Sequence, residues 1–90
     1  MQKTMIIPAS SSVGVGSTFG HQCVIGQNVR IGANVKFGNM CVVEDNTIIQ
    51  DGVIIDHFCI IGEDCVIGSR TKIRSHVELR KKSIVGDDCY

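Results

Sequence analysis

The chain has 90 residues, a formal net charge of zero and a hydrophobic content of 43%. That balance gives no basis for binding nucleic acid or a polyanionic surface, and no apolar run approaches the roughly 20 residues that span a bilayer. The opening MQKTMIIPASSS lacks the long apolar segment of a secretory signal, so a cytoplasmic protein with no membrane partner is expected.

From the N-terminus an apolar anchor recurs every six residues: Ile7, Val13, Phe19, Ile25, Ile31, Phe37, Val43, Ile49, Ile55, Ile61, Ile67, Ile73, Leu79 and Val85. A fixed period of this kind marks a repeat protein, here of hexapeptides. Two residues before each anchor from Val13 on sits a compact side chain, among them Ser11, Val29, Thr47, Val53 and Thr71. In an extended segment these two positions share one side and the residue between them points the other way. No charge occupies either inward position, so the alternation specifies the register. Glycine follows most anchors, as in Gly26, Gly32 and Gly38, where it is expected to supply the unusual dihedrals of a tight corner.

The five cysteines, Cys23, Cys41, Cys59, Cys65 and Cys89, all occupy the compact position. Cysteine is thus used as a small buried hydrophobe. The odd count and the lack of any CxxC spacing favour a reducing compartment over a disulfide framework or a thiolate metal site.

The recurring pattern, an aliphatic residue, glycine and four variable positions, resembles that of the bacterial hexapeptide-repeat family. The resemblance covers nearly the whole chain and implies an all-β fold. The implied fold is a single left-handed parallel β-helix of about five coils, each of three short strands and about 18 residues. Residues 1–90 then form one domain, expected to be a minimal or C-terminally truncated member because Cys89-Tyr90 stops just before the next anchor. Three faces follow. The first carries the anchors Ile7, Ile25, Val43, Ile61 and Leu79, the second Val13, Ile31, Ile49, Ile67 and Val85, and the third Phe19, Phe37, Ile55 and Ile73. Phe19 and Phe37 are expected to stack, as are Cys23, Cys41 and Cys59 in reduced form.

The segment IIDHFCIIGEDCVIG, Ile54 to Gly68, resembles the DH-x-C-x-IG stretch of hexapeptide acetyltransferases that modify sugars or nucleotide-sugars. The resemblance makes His57 the catalytic general base, acetyl-CoA the cosubstrate and a small sugar amine or hydroxyl the acceptor. Phe58 stands where an acidic residue usually follows, and Val66 where a second histidine is expected. The alternative is that His57 is a polar corner residue, in one column with His21, Asn39 and Ser75, and that the chain is a non-catalytic structural or assembly module. No repeat is interrupted by a pocket-building loop, a feature that favours this second reading.

Gln50-Asp51 resembles a pair in the gamma-class carbonic anhydrases, but His21, His57 and His76 lack the spacing of a three-histidine zinc site, so no metal is expected. The cations Arg70, Lys72, Arg74, Arg80, Lys81 and Lys82 either meet phosphates or form a solvated face, with Asp56–Arg74, Glu63–Lys81 and Asp64–Lys82 pairing between coils.

The outward residues of the first face are Ile6, Val24, Val42, Ile60 and Glu78, and those of the second are Ser12, Arg30, Ile48, Val66 and Ile84. An apolar stripe of this length marks a partner surface. The resemblance implies a parallel homotrimer, with Ile6, Val24, Val42, Ile60, Ile48, Val66 and Ile84 at the interface. His57 would then sit at the outer lip of each interface, facing Asn34, Asp51 or Arg70 of the neighbouring copy.

Overall fold

The computed structural model describes residues 7–8 and 10–88; Ile6, Cys89 and Tyr90 lie outside them. Its strands are two residues each, an outward residue and its anchor: β1 (Ser12–Val13), β2 (Val24–Ile25), β3 (Arg30–Ile31), β4 (Lys36–Phe37), β5 (Val42–Val43), β6 (Ile48–Ile49), β7 (Ile54–Ile55), β8 (Ile60–Ile61), β9 (Val66–Ile67), β10 (Lys72–Ile73), β11 (Glu78–Leu79) and β12 (Ile84–Val85). They stack as three parallel sheets, β2-β5-β8-β11 on the first face, β1-β3-β6-β9-β12 on the second and β4-β7-β10 on the third. The result is an all-β solenoid of about four turns, and among the described residues no helix is long and apolar enough to cross a membrane.

The register follows the sequence period. Val24 pairs with Val42, Val42 with Ile60 and Ile60 with Glu78, so equivalent side chains lie directly above one another. Every anchor from Ile25 to Ile73 and every compact residue from Cys23 to Thr71 is buried. Anchors at the two ends, such as Val13 and Leu79, are half-buried because only one coil covers them. Phe19 and Phe37 stack with ring centroids 4.8 Å apart. Burial of one large aliphatic anchor stabilises the fold by about 1.5–3 kcal/mol, and the columns repeat that gain rung after rung.

Two expectations are corrected. The left-handed residue of each corner is not the glycine after the anchor but the residue two further on. Gln22, Asn28, Asn34, Met40, Asn46, Phe58, Asp64, Arg70, His76, Lys82 and Asp88 all have φ between 56° and 64°, and Gly16 and Gly52 fill the same position. The glycines after the anchors serve close approach instead. A Cβ at Gly62, for example, would lie 2.7 Å from the Leu79 carbonyl oxygen on the next coil.

The compact slot is also more than a place for a small hydrophobe. Thr47 Oγ1 donates to the Gly62 carbonyl at 2.7 Å, Thr71 Oγ1 to that of Gly86 at 2.6 Å, and Ser11 and Ser17 to those of Gly26 and Gly32. The thiols of Cys41, Cys59 and Cys65 do the same toward Asp56, Arg74 and Arg80 at 2.8, 2.9 and 3.1 Å. Cys23, Cys41, Cys59 and Cys65 are all free thiols. These side chains reach carbonyls on the coil above that would otherwise face a dry interior, and among the described residues no buried side-chain nitrogen or oxygen lacks a partner.

Candidate functional site

His57 is exposed at the corner between the third and first faces, in one column with His21, Asn39 and Ser75. The main chain there forms a regular ladder: Phe58 N–H donates to the Asn39 carbonyl at 2.9 Å, and His76 N–H to the His57 carbonyl at 3.0 Å. The amide of the first corner residue has no such main-chain acceptor. For Asn39 that amide donates to Nδ1 of His57 at 2.8 Å. Nδ1 is therefore the ring's acceptor, and in the neutral imidazole Nε2 carries the proton. The ring offers solvent a donor, and its lone pair is committed to the coil below. A base acting on a substrate needs a free lone pair, so proton abstraction by His57 first requires this bond to break.

The arrangement recurs at four other corners among the described residues. Side-chain oxygens of Asn39, Asp45, Asp51 and Asp87 accept from the amides of His21, Gln27, Ala33 and Ser69, at 2.7 to 2.9 Å. Each of these five latch side chains occupies the space above a glycine of the preceding coil. A Cβ at Gly38 would lie 2.6 Å from His57 Nδ1, and Cβ atoms at Gly20, Gly26, Gly32 and Gly68 would meet the side chains of Asn39, Asp45, Asp51 and Asp87. Where the residue after the anchor is larger, as at Glu44, Gln50 and Asp56, the residue nineteen positions on is Glu63, Ser69 or Ser75, and none of these forms a latch. Glycine followed nineteen residues later by Asn, Asp or His was the sequence signal available for these contacts.

The other expected site residues lie elsewhere. Asn34, Asp51 and Arg70 share the corner between the second and third faces, so within one chain they do not meet His57. Asp51 Oδ1 is held by the Ala33 amide, and Arg70 forms a two-pronged pair with Asp88, Nε to Oδ1 at 2.9 Å and Nη2 to Oδ2 at 3.1 Å. That carboxylate raises the Arg70 pKa through its hydrogen bonds and charge. The pairs Asp56–Arg74, Glu63–Lys81 and Asp64–Lys82 do not form. These groups are exposed, and holding two long side chains together in water yields little.

Around His57, Phe58 and His76 stack at 5.1 Å between centroids, and the His57 ring is tilted against Phe58 at 6.2 Å. Phe58 and Met40 are 46% and 48% exposed despite their apolar side chains. Among the described residues one surface groove lies on the second face, with a volume of about 370 Å³ around Arg30, Ile48, Gln50, Asp51 and Ser69. Another, of about 490 Å³, lies on the first face around Glu44, Ile60, Glu63, Glu78 and Lys81. Neither includes His57. Among the described residues no three His, Cys, Asp or Glu side chains are placed to hold a metal ion.

The family model of the GMPPB C-terminal domain matches residues 3–90. The chain belongs to the GMPPB C-terminal domain family. No curated protein and no solved structure matches it. As a GMPPB C-terminal domain the chain keeps the hexapeptide β-helix reading of its sequence; the acyltransferase branch expected from Ile54–Gly68 is a narrower reading that this match does not carry.

Proposed function

We propose that this chain is a non-catalytic β-helix module of a nucleotide-sugar enzyme and that it holds protein chains together. The observation that carries the reading is the apolar outer surface of two adjacent faces. Val24, Ile60, Ile48 and Ile84 are 56%, 40%, 39% and 80% exposed, with half-buried Val42 and Val66 completing the columns. Met40 and Phe58 widen the first-face stripe, because each lies two residues before Val42 or Ile60 and points outward past a buried cysteine. Contiguous apolar surface of this kind marks an interaction site. Its repetition along a straight stack suits a symmetric assembly of like chains, and a parallel homotrimer brings the first face of one copy to the second face of the next. In that assembly His57 lies near the corner that carries Asn34, Asp51 and Arg70 of another copy. Membership in a family named as a C-terminal domain supports a module that serves a larger protein.

The alternative is an acetyl-CoA-dependent sugar acyltransferase, carried by the Asp56-His57-x-Cys59 match. Sedimentation and calorimetry separate the two. The module reading expects a trimer at micromolar concentration that dissociates on Val42→Asp, and no heat on titration with acetyl-CoA. A monomeric wild type, or a trimer indifferent to Val42→Asp, overturns the assembly surface. Saturable acetyl-CoA binding by the assembled chain returns the reading to acyl transfer.

A further inference from the structure

We propose that His57 is a proton-sensitive latch between coils. Of the five side chains that accept a corner amide from the coil below among the described residues, Asn39, Asp45, Asp51 and Asp87 do so through an amide or carboxylate oxygen. Among the described residues only His57 latches through an imidazole, the side-chain type whose ordinary charge change falls between about pH 5 and 8. Protonation puts a hydrogen on Nδ1, so the acceptor held 2.8 Å from the Asn39 nitrogen becomes a donor. Two N–H groups then face each other, the ring turns out to solvent, and the Asn39 amide is left to water. Exposure of the ring lets protons reach it without any opening of the core.

Among the described residues the device acts at one place. Asn39 leads directly into Met40, and His57 into Phe58, so the latch fixes the corner from which both exposed apolar side chains project. The charged and titratable groups of the elements meeting there are Asp56, Arg74, Lys36 and Lys72 on the third-face side and Glu78 on the first-face side. His21 and His76 stand in the corner itself, and the thiols of Cys23, Cys41 and Cys59 lie beneath it. His21 and His76 are imidazoles too, but among the described residues neither ring accepts a hydrogen bond from another coil. The inference does not depend on whether the chain assembles or binds acetyl-CoA.

Nitrogen-15 NMR on the whole chain tests it. Near pH 7.5 the His57 ring is expected as the Nε2–H tautomer. On acidification to about pH 5.5 the Asn39 amide resonance should move with the midpoint of the His57 ring, and its protection from hydrogen exchange should fall roughly two- to tenfold relative to the Gln27 and Ala33 amides, the factor of one hydrogen bond. His57→Asn, which places here the side chain that already latches the coil below, should keep the Asn39 amide protected throughout. An Nδ1–H tautomer, an Asn39 amide that does not follow the ring, or an equal loss in His57→Asn overturns the proposal. Should His57→Asn not fold, the comparison of Asn39 with Gln27 and Ala33 in the wild type decides alone.

Discussion

Gly38 leaves the space that the imidazole of His57 fills: a Cβ there would stand 2.6 Å from Nδ1 and 2.9 Å from the His57 amide nitrogen. Two residues nineteen apart in sequence are thus one structural unit. Gly38→Ala is expected to destabilise the chain by about 1–3 kcal/mol through overpacking. The cost should shrink in a His57→Ser background, which reproduces the Asp56–Ser75 combination found one coil higher. A denaturant double-mutant cycle measures the coupling; additive effects would show that the backbone clash alone matters.

The inward columns predict a different scale of response. Ile61 is fully buried at the middle of the stack, so Ile61→Ala should cost about 2–5 kcal/mol by lost transfer energy and a residual cavity. Ile49→Asp buries an unpaired charge and should unfold or aggregate the protein. An unchanged melting temperature in either variant would contradict the inward assignment.

These two cases divide what was legible in the sequence from what was not. The anchors and compact slots could be read because burial forces one chemistry on every sixth residue, and the structure buries Cys23, Ile25, Val29 and Ile31 as that rule requires. The left-handed position could not be read. It holds Gln22, Met40, Phe58, Arg70 and His76, and no shared side-chain chemistry marks a position defined by backbone alone. Glycine misled for the same reason: Gly38 looks like a corner residue but is small to admit a neighbour. His57 was singled out, yet its partner Asn39 was missed because the contact joins consecutive coils through one backbone amide. Ion pairing was misplaced to Asp56–Arg74, while Arg70–Asp88 forms with side chains 65% and 59% exposed. At such exposure several partners are nearly equivalent, and sequence spacing does not choose among them.

The compact slot yields a third prediction. Thr47→Val keeps the shape, since Val29, Val35 and Val53 occupy equivalent buried places, but removes the donor to the Gly62 carbonyl. A loss of roughly 1 kcal/mol is expected for one buried hydrogen bond, read from urea midpoints at constant slope. A neutral or stabilising result would mean that the carbonyl finds another donor.

The cysteine ladder links stability to alkaline pH. Burial pushes the Cys59 thiol up from its ordinary value, while the contact between Cys23 and Cys41 lowers the first to about 6 and raises the second, two shifts of opposite sign. A folded state that holds the Cys59 thiol protonated loses ground once the unfolded chain can ionise it. The contribution of Cys59 is therefore fully present below the unfolded value of about 8.5 and is lost as pH rises through its raised folded-state value. Between them the slope is about 1.4 kcal/mol per pH unit for each thiol still protonated in the native state. Urea unfolding from about pH 7 to pH 10 should show a difference in midpoint between wild type and Cys59→Val that is level at first and then shifts against the wild type. The variant places in this slot the residue found at Val53 and Val77, and the shift should amount to one thiol's share. A pH dependence unchanged in Cys59→Val would mean that Cys59 ionises as readily folded as unfolded, and the dry interior drawn around it would be wrong.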